Sequence, residues 1–136
     1  KDLTVYGDGK QTKDYCYVQD VVDAMLLAAS NKSAYGEFFM LGSNKGISFA
    51  KMCEAILAAA KSVSKTKSKI NYVPWKSERK SIEIWDFVVS YGKINRLLGW
   101  EPKISIEEGL RMTAEFYNTR RGDYFLYLVL CTMQLL

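Results

Sequence analysis

Apolar residues along the chain fall into short blocks separated by turn formers. Leu3-Thr4-Val5-Tyr6 reads as a short strand, and Gly7-Asp8-Gly9 as the turn after it, since glycine reaches positive φ without steric cost. Asp14-Tyr15-Cys16-Tyr17-Val18 is aromatic and β-prone and predicts a second strand. A helix is expected from Asp20 to about Ser30. Val21, Val22, Met25, Leu26 and Ala29 form its apolar stripe, and Asp20 suits the positive end of its dipole. Beyond a loop over Asn31 to Gly36, the compact run Glu37-Phe38-Phe39-Met40-Leu41 has the pattern of a buried strand in a parallel sheet, followed by the turn Gly42 to Gly46.

The second half continues in the same alternation. Ser48 is an expected N-cap for a helix whose apolar face is Phe49, Met52, Cys53, Ile56, Leu57 and Ala60, the clearest amphipathic pattern in the chain. Lys69 to Val73 reads as a strand stopped by Pro74, and Ile82 to Val89 as strand-like. A short helix is expected over Tyr91 to Leu98, N-capped by Ser90 and stopped by Gly99. Ser105-Ile106-Glu107-Glu108 matches a capping box and opens a last helix, with Ile106, Leu110, Thr113, Ala114 and Tyr117 as its expected buried face. No repeat or low-complexity segment interrupts this order.

Composition narrows the functional classes. The 136 residues suit about one domain, and the net charge of +4 is mild for a nucleic-acid binder, which gathers its cations on one face or arm. Only Lys61, Lys65, Lys67 and Lys69 cluster. They alternate with Ser and Thr and not with aromatics, which leaves a solvated loop and an anion-binding patch as alternatives. Cys16, Cys53 and Cys131 have neither disulfide-framework nor metal-ligand spacing, and histidine is absent, so no metal site is signalled and a reducing, cytoplasmic setting is expected. No signal peptide is expected, because Lys1-Asp2-Leu3 leads directly into a strand-like run. The apolar tail from Tyr124 to Leu136 is shorter than the about 20 residues a membrane-spanning helix needs. Over residues 123–136 the tail shows neither a strand nor a helix period, and a misread or truncated gene product and a partner-docking segment stand as its two explanations.

Four ordered segments carry a resemblance. Tyr6-Gly7-Asp8-Gly9-Lys10-Gln11-Thr12-Lys13-Asp14-Tyr15, Phe39-Met40-Leu41-Gly42-Ser43, the stretch Ser90 to Pro102 with its Leu98-Gly99-Trp100-Glu101-Pro102, and Ser105 to Tyr117 occur in this sequence. They resemble the YGDGxQxRDF, FNLGS, DxSK…LGWxP and SLEEGLRxTxxYY segments of the extended short-chain dehydrogenase/reductases, the NAD-dependent epimerases and dehydratases of nucleotide sugars. The match covers about residues 1–120.

The resemblance implies an α/β fold. Residues 1–122 would form the C-terminal, substrate-binding part, with the last elements of the Rossmann sheet and a small α/β region, while the N-terminal Rossmann half is absent. NAD and the family's Tyr-x-x-x-Lys pair would belong to that missing half. Tyr6 with Lys10 and Tyr72 with Lys76 have the same spacing, but glycines interrupt one and Pro74 the other, so neither fits the helical turn such a pair needs. No catalytic or cofactor residue is therefore expected in this chain, which alone is expected to be inactive. The substrate side remains. Lys13 stands where the family has a diphosphate-contacting arginine, and keeps the charge without the bidentate fork. Arg79, or else Lys80, is the nearest match to a second phosphate-contacting residue. Tyr72, Val73 and Trp75 are candidates for the base pocket, with the strand core as the alternative. Trp85 replaces a family glycine, Met40 the family's asparagine, and Ser90 its aspartate. The expected role is nucleotide-sugar binding for an isomerase or lyase of this family. The alternatives are a non-catalytic nucleotide-sugar or protein-binding module, and an inactive remnant. Open sheet edges and the apolar tail predict self-association.

Overall fold

The structure, a computed structural model of the chain, describes residues 2–77, 83, 85–120 and 122. Arg79, Lys80, Ile82 and Ile84 of the 82–89 segment, and the tail over 123–136 with Cys131 lie outside the described residues.

Strand β1 (Leu3–Tyr6) runs parallel to β4 (Ile70–Val73), with Leu3 opposite Ile70 and Tyr6 opposite Val73. Asp2 fastens the start of this pair. Its carboxylate accepts from the Lys69 backbone N–H at 2.9 Å and from the Asn71 side-chain amide at 3.1 Å. The chain then turns at Gly7 and Gly9, both at positive φ. At Gly9 a Cβ would stand 2.8 Å from Val5 Cγ1 and 2.9 Å from Ala50 Cβ, so glycine permits β1 to approach the start of helix α2 (Phe49–Val63).

The second strand forms earlier than its aromatic residues suggest. β2 covers Thr12–Asp14 and pairs antiparallel with β3 (Gly46–Ser48), Thr12 opposite Ser48 and Asp14 opposite Gly46. Pairing stops there, so Tyr15–Tyr17 have no ladder to join, and helix α1 begins at Val18 and runs to Ala29. Asp14 instead ties the strand end to two loops. Its carboxylate accepts from the backbone N–H groups of Ser43 at 2.8 Å, Asn44 at 3.1 Å and Val89 at 3.1 Å, and from the Ser43 hydroxyl. Of the strand expected over 82–89, the described residues make one parallel bridge. Phe87 donates to the Thr12 carbonyl at 2.9 Å and accepts from the Asp14 N–H at 3.0 Å.

Two expectations about burial are corrected. The run Glu37 to Leu41 is not a strand, and among the described residues the backbone of 38–41 makes no hydrogen bond. Its side chains still alternate. Phe39 and Leu41 pack on the core, while Phe38 and Met40 face outward, the pleat of an extended chain that has no neighbour to pair with. In α1 the apolar stripe also faces out: Val22, Met25 and Leu26 are exposed, and the helix buries Asp20 and Ala24 instead.

The core beneath α1 gathers Ala24, Ile94 and Trp100, flanked by Cys16, Leu27, Phe39, Leu41, Tyr91 and Leu98. Helix α3 (Gly92–Leu98) supplies Ile94 and ends at Gly99 in the left-handed conformation. Its N-cap is Tyr91, one residue later than expected, although the Ser90 hydroxyl accepts from the Gly92 N–H at 3.2 Å. Helix α4 (Ile106–Thr119) lies against α2. Ser48 and Ser105 cap α2 and α4 by accepting from Lys51 and Glu108 N–H, as their sequence positions predict. The Glu108 side chain is held by Arg111. The buried contact of α4 is Gly109 against the Tyr17 ring, and Tyr117, expected inside, is exposed. Lys61, Lys65, Lys67 and Lys69 are exposed around the end of α2.

Candidate functional site

A cavity of about 610 Å³ opens beside the turn after β1. It is lined by Thr4, Tyr6, Gln11, Lys13, Tyr15, Phe49, Trp75 and Glu83. Each wall has a local cause. Tyr6 ends β1, and the Gly7–Gly9 turn returns the chain so that Gln11 and Lys13 come to lie at the same cavity. Phe49 is the first residue of α2, and its N–H donates to the Gln11 carbonyl at 3.0 Å, which locks the start of that helix to the turn. Trp75 follows the Pro74 stop after β4. Its indole lies so close over Gly7 that any side chain there would collide with it.

One side of the cavity is aromatic. The Tyr6 and Trp75 rings are 5.7 Å apart with planes 33° from parallel, and Trp85, outside the lining, lies 6.1 Å from Trp75 at 56°. Tilted ring pairs at these separations are favourable, and Tyr6 and Trp75, both half-buried, bring aromatic surface to the cavity wall. The other side is charged. Lys13 Nζ lies 2.8 Å from Glu83 Oε1, with each side chain 25% exposed. Tyr15 has its pKa raised, first by burial and then by the nearby Cys53, so its hydroxyl stays protonated at neutral pH. Gln11 is only 5% exposed, and its side-chain oxygen has no donor among the described residues.

Of the substrate-contacting residues expected from sequence, the fold brings Lys13 and Trp75 together at this cavity. Tyr72 stands elsewhere. It pairs opposite Val5 in the β1–β4 sheet and is 53% exposed, away from the lining. Arg79 and Lys80 lie outside the described residues. Neither Tyr-x-x-x-Lys spacing forms a helical turn. Lys10 pairs with Asp8 at 2.9 Å out in solvent, and Tyr72 belongs to a strand. Sequence reasoning passed over Tyr6, Gln11, Tyr15, Phe49 and Glu83 as wall residues. The first three sit inside the segment from Tyr6 to Tyr15 and were available as a group. Glu83 had no local signal, because it reaches Lys13 across 70 positions through the Phe87 bridge.

Comparison with known proteins agrees with this architecture. The family described as GDP-mannose 4,6 dehydratase matches residues 1–113. Human dTDP-D-glucose 4,6-dehydratase is 28% identical over 114 residues, which cover 84% of this chain and 32% of the human protein. The structure of UDP-glucose 4-epimerase from Thermotoga maritima, solved with UDP-glucose, superposes with a TM-score of 0.72 at 30% identity, across 88% of this chain and 36% of that one. dTDP-glucose 4,6-dehydratase from Bacillus anthracis, solved in complex with NAD, gives a TM-score of 0.70 at 28% identity and likewise covers 88% and 35%. The chain thus spans about a third of the length of the relatives it matches. With an α/β fold shared across that third and a family match over most of its length, the chain belongs to the family of GDP-mannose 4,6 dehydratase, within the NAD-dependent epimerases and dehydratases.

Proposed function

We propose that this chain supplies the nucleotide-sugar side of a NAD-dependent epimerase or dehydratase site. Lys13 contacts the diphosphate, and Tyr6 and Trp75 receive the base. The observation that carries this reading is the meeting of a cation and two neighbouring aromatic rings in one cavity of about 610 Å³, a size that suits a small organic ligand. A nucleoside diphosphate presents a flat ring at one end and negative charge at the other, which matches that division. Trp75 takes the base contact and Tyr72 does not, since Tyr72 lies outside the cavity. Arg79, or Lys80, would add the second phosphate contact that the family resemblance implies.

The relatives include an enzyme solved in complex with NAD. The described residues of this chain do not fit a dinucleotide. The turn at Gly7 and Gly9 leads into β2 and not into a helix, and Trp75, Val5 and Ala50 fill the space over those glycines where a pyrophosphate would need open backbone. No hydride or proton step is therefore assigned to these residues, and the chain's contribution is binding and orientation.

Thermal unfolding tests the proposal. A ligand at ten times its Kd stabilises the folded state by about 1.4 kcal/mol, a rise of a few degrees for a domain of this size. UDP-glucose or UDP at millimolar concentration is expected to produce that rise in the wild-type chain and a smaller one in Lys13→Ala. An unchanged midpoint in the wild type contradicts the proposal.

A further inference from the structure

Glu83 has no part in the binding scheme above, yet its carboxylate sits on Lys13, the residue assigned there to the diphosphate. Its Oε1 is 2.8 Å from Lys13 Nζ, at the distance of a charge-assisted hydrogen bond. Both side chains are three-quarters covered, so water screens the pair less than it screens the open Asp8–Lys10 pair, where Lys10 is 83% exposed. Among the described lining residues, Lys13 and Glu83 are the charged ones, and their formal charges cancel. Tyr15, held protonated by burial, adds none.

We infer that Glu83 is an internal counter-ion that an incoming phosphate must displace from Lys13, and that it thereby sets the affinity of the cavity for phosphorylated ligands. The inference rests on the nucleotide-binding reading and concerns the control of that same site. An ammonium has three donors on a flexible stem, so Lys13 can exchange a carboxylate oxygen for a phosphate oxygen without moving its backbone. The segment carrying Glu83 is anchored further along, where Asp86 accepts from the Thr12 N–H at 2.8 Å and Phe87 bridges to β2. Glu83 lies ahead of those anchors, so its side chain can leave the cavity while the segment stays attached. Until it leaves, a phosphate meets a like charge in a half-covered site, and juxtaposed like charges are what suppress unsuitable partners at an interface. The penalty falls on the charged part of the ligand alone.

Isothermal titration of the full chain with UDP and with uridine tests this. Glu83→Gln keeps the shape and removes the charge. It is expected to bind UDP roughly tenfold more tightly than the wild type, the order that loss of one like charge at close range supplies. Uridine affinity is expected to stay unchanged. Lys13→Gln is expected to lose UDP affinity, and Lys10→Gln, outside the cavity, to behave as wild type. A Glu83→Gln chain that binds UDP no more tightly overturns the inference and leaves the nucleotide-binding reading standing. Equal gains for UDP and uridine also overturn it, by showing that Glu83 acts through shape. An absence of UDP binding in every variant overturns both. Should Glu83→Gln fail to fold, the salt dependence of UDP binding to the wild type decides. Exchange of one anion for another on Lys13 predicts a shallow slope, and a steep loss of affinity with salt contradicts it.

Discussion

Asp20 is 2% exposed, and its two carboxylate oxygens accept from the backbone N–H groups of Lys103 at 3.1 Å and Ile104 at 3.0 Å. Its own carbonyl accepts from the Trp100 indole N–H at 3.1 Å. One residue of α1 thus holds the segment that leads into α4, and a charge is tolerated in the core because its acceptors are filled. Asp20→Ala would leave two partly buried N–H groups without this partner. The expected loss is about 2–4 kcal/mol of unfolding free energy in a urea titration, and a loss under about 0.5 kcal/mol would contradict this role. The sequence suggested only a dipole partner at a helix start. The bond from Trp100 spans 80 positions, and no local pattern encodes such a contact. Cys16 and Cys53 make a second case at this scale. Both have raised pKa values, from burial first, with Asp20 and Asp14 adding to the shift at Cys16 and Glu54 at Cys53. The folded state therefore favours the neutral thiol, and that preference is lost as pH climbs through the raised values. Site-resolved mass spectrometry at pH 7.5 is expected to show both cysteines alkylating at least about tenfold slower than in the unfolded chain. Equal rates would count against it.

Among the elements, those the sequence made legible carry their own end signals. β1, α3 and α4 fell where turn glycines, serine caps and 3.6-residue periodicity placed them, and α2 began at its Ser48 cap but runs on to Val63, through the Lys61 position read as loop. Ser48→Ala and Ser105→Ala are each expected to cost about 1 kcal/mol, additively, because the two caps serve different helices. Gly99, at φ 72°, ends α3, and Gly99→Ala is expected to cost a further ~1 kcal/mol through strain in the left-handed region. Thermal unfolding of the single and combined variants checks both. Strands were less legible, because a strand depends on a partner that its own residues do not specify. Tyr15-Cys16-Tyr17 has the propensity and lacks the neighbour, while Thr12–Asp14 has little propensity and gains β3. Asp2 closes the β1–β4 pair by another means. Its pKa is lowered, chiefly by the hydrogen bond from the Lys69 N–H. The folded value lies below the ordinary 3.8, so its contribution is intact above 3.8 and disappears as pH falls through the lowered value. An NMR titration of the Asp2 carboxyl should give a midpoint below 3.8 that returns to the ordinary value on unfolding.

On the scale of the whole molecule, the exposed apolar side chains of two neighbouring segments in sequence stand apart. Val18, Val22, Met25 and Leu26 on α1, and Phe38 and Met40 on the extended run that follows, are all exposed. The sequence marked all of these but Val18 for burial, in the α1 stripe or in the run from Glu37 to Leu41. What the sequence could not show is that the described fold provides nothing to cover them. Apolar surface of this kind promotes association, and the chain in isolation is expected to self-associate. Light scattering should show a mass that rises with concentration and falls in Met25→Lys/Leu26→Glu, and a monodisperse monomer across the micromolar range would contradict the expectation. No helix among the described residues is long and apolar enough to cross a membrane, so these side chains are distinct from a spanning segment. The candidate site lies elsewhere, at the junction of β1, β2, α2 and the end of β4. It was half legible: the segment from Tyr6 to Tyr15 announced Lys13 and the family resemblance pointed to Trp75, while Glu83 joined them only through the Phe87 bridge.

The central claim is that the cavity between Lys13 and Trp75 holds a nucleoside diphosphate, and a proton–nitrogen NMR titration of the chain with UDP addresses it most directly. The Trp75 indole lines the cavity, whereas the Trp100 indole is buried against Asp20, which gives an internal control in the same spectrum. Saturable shifts of the Trp75 indole N–H and the Lys13 backbone amide, with the Trp100 indole unmoved, are the predicted result. A titration that leaves Trp75 and Lys13 unmoved, or that moves Trp100 as much as Trp75, would contradict it.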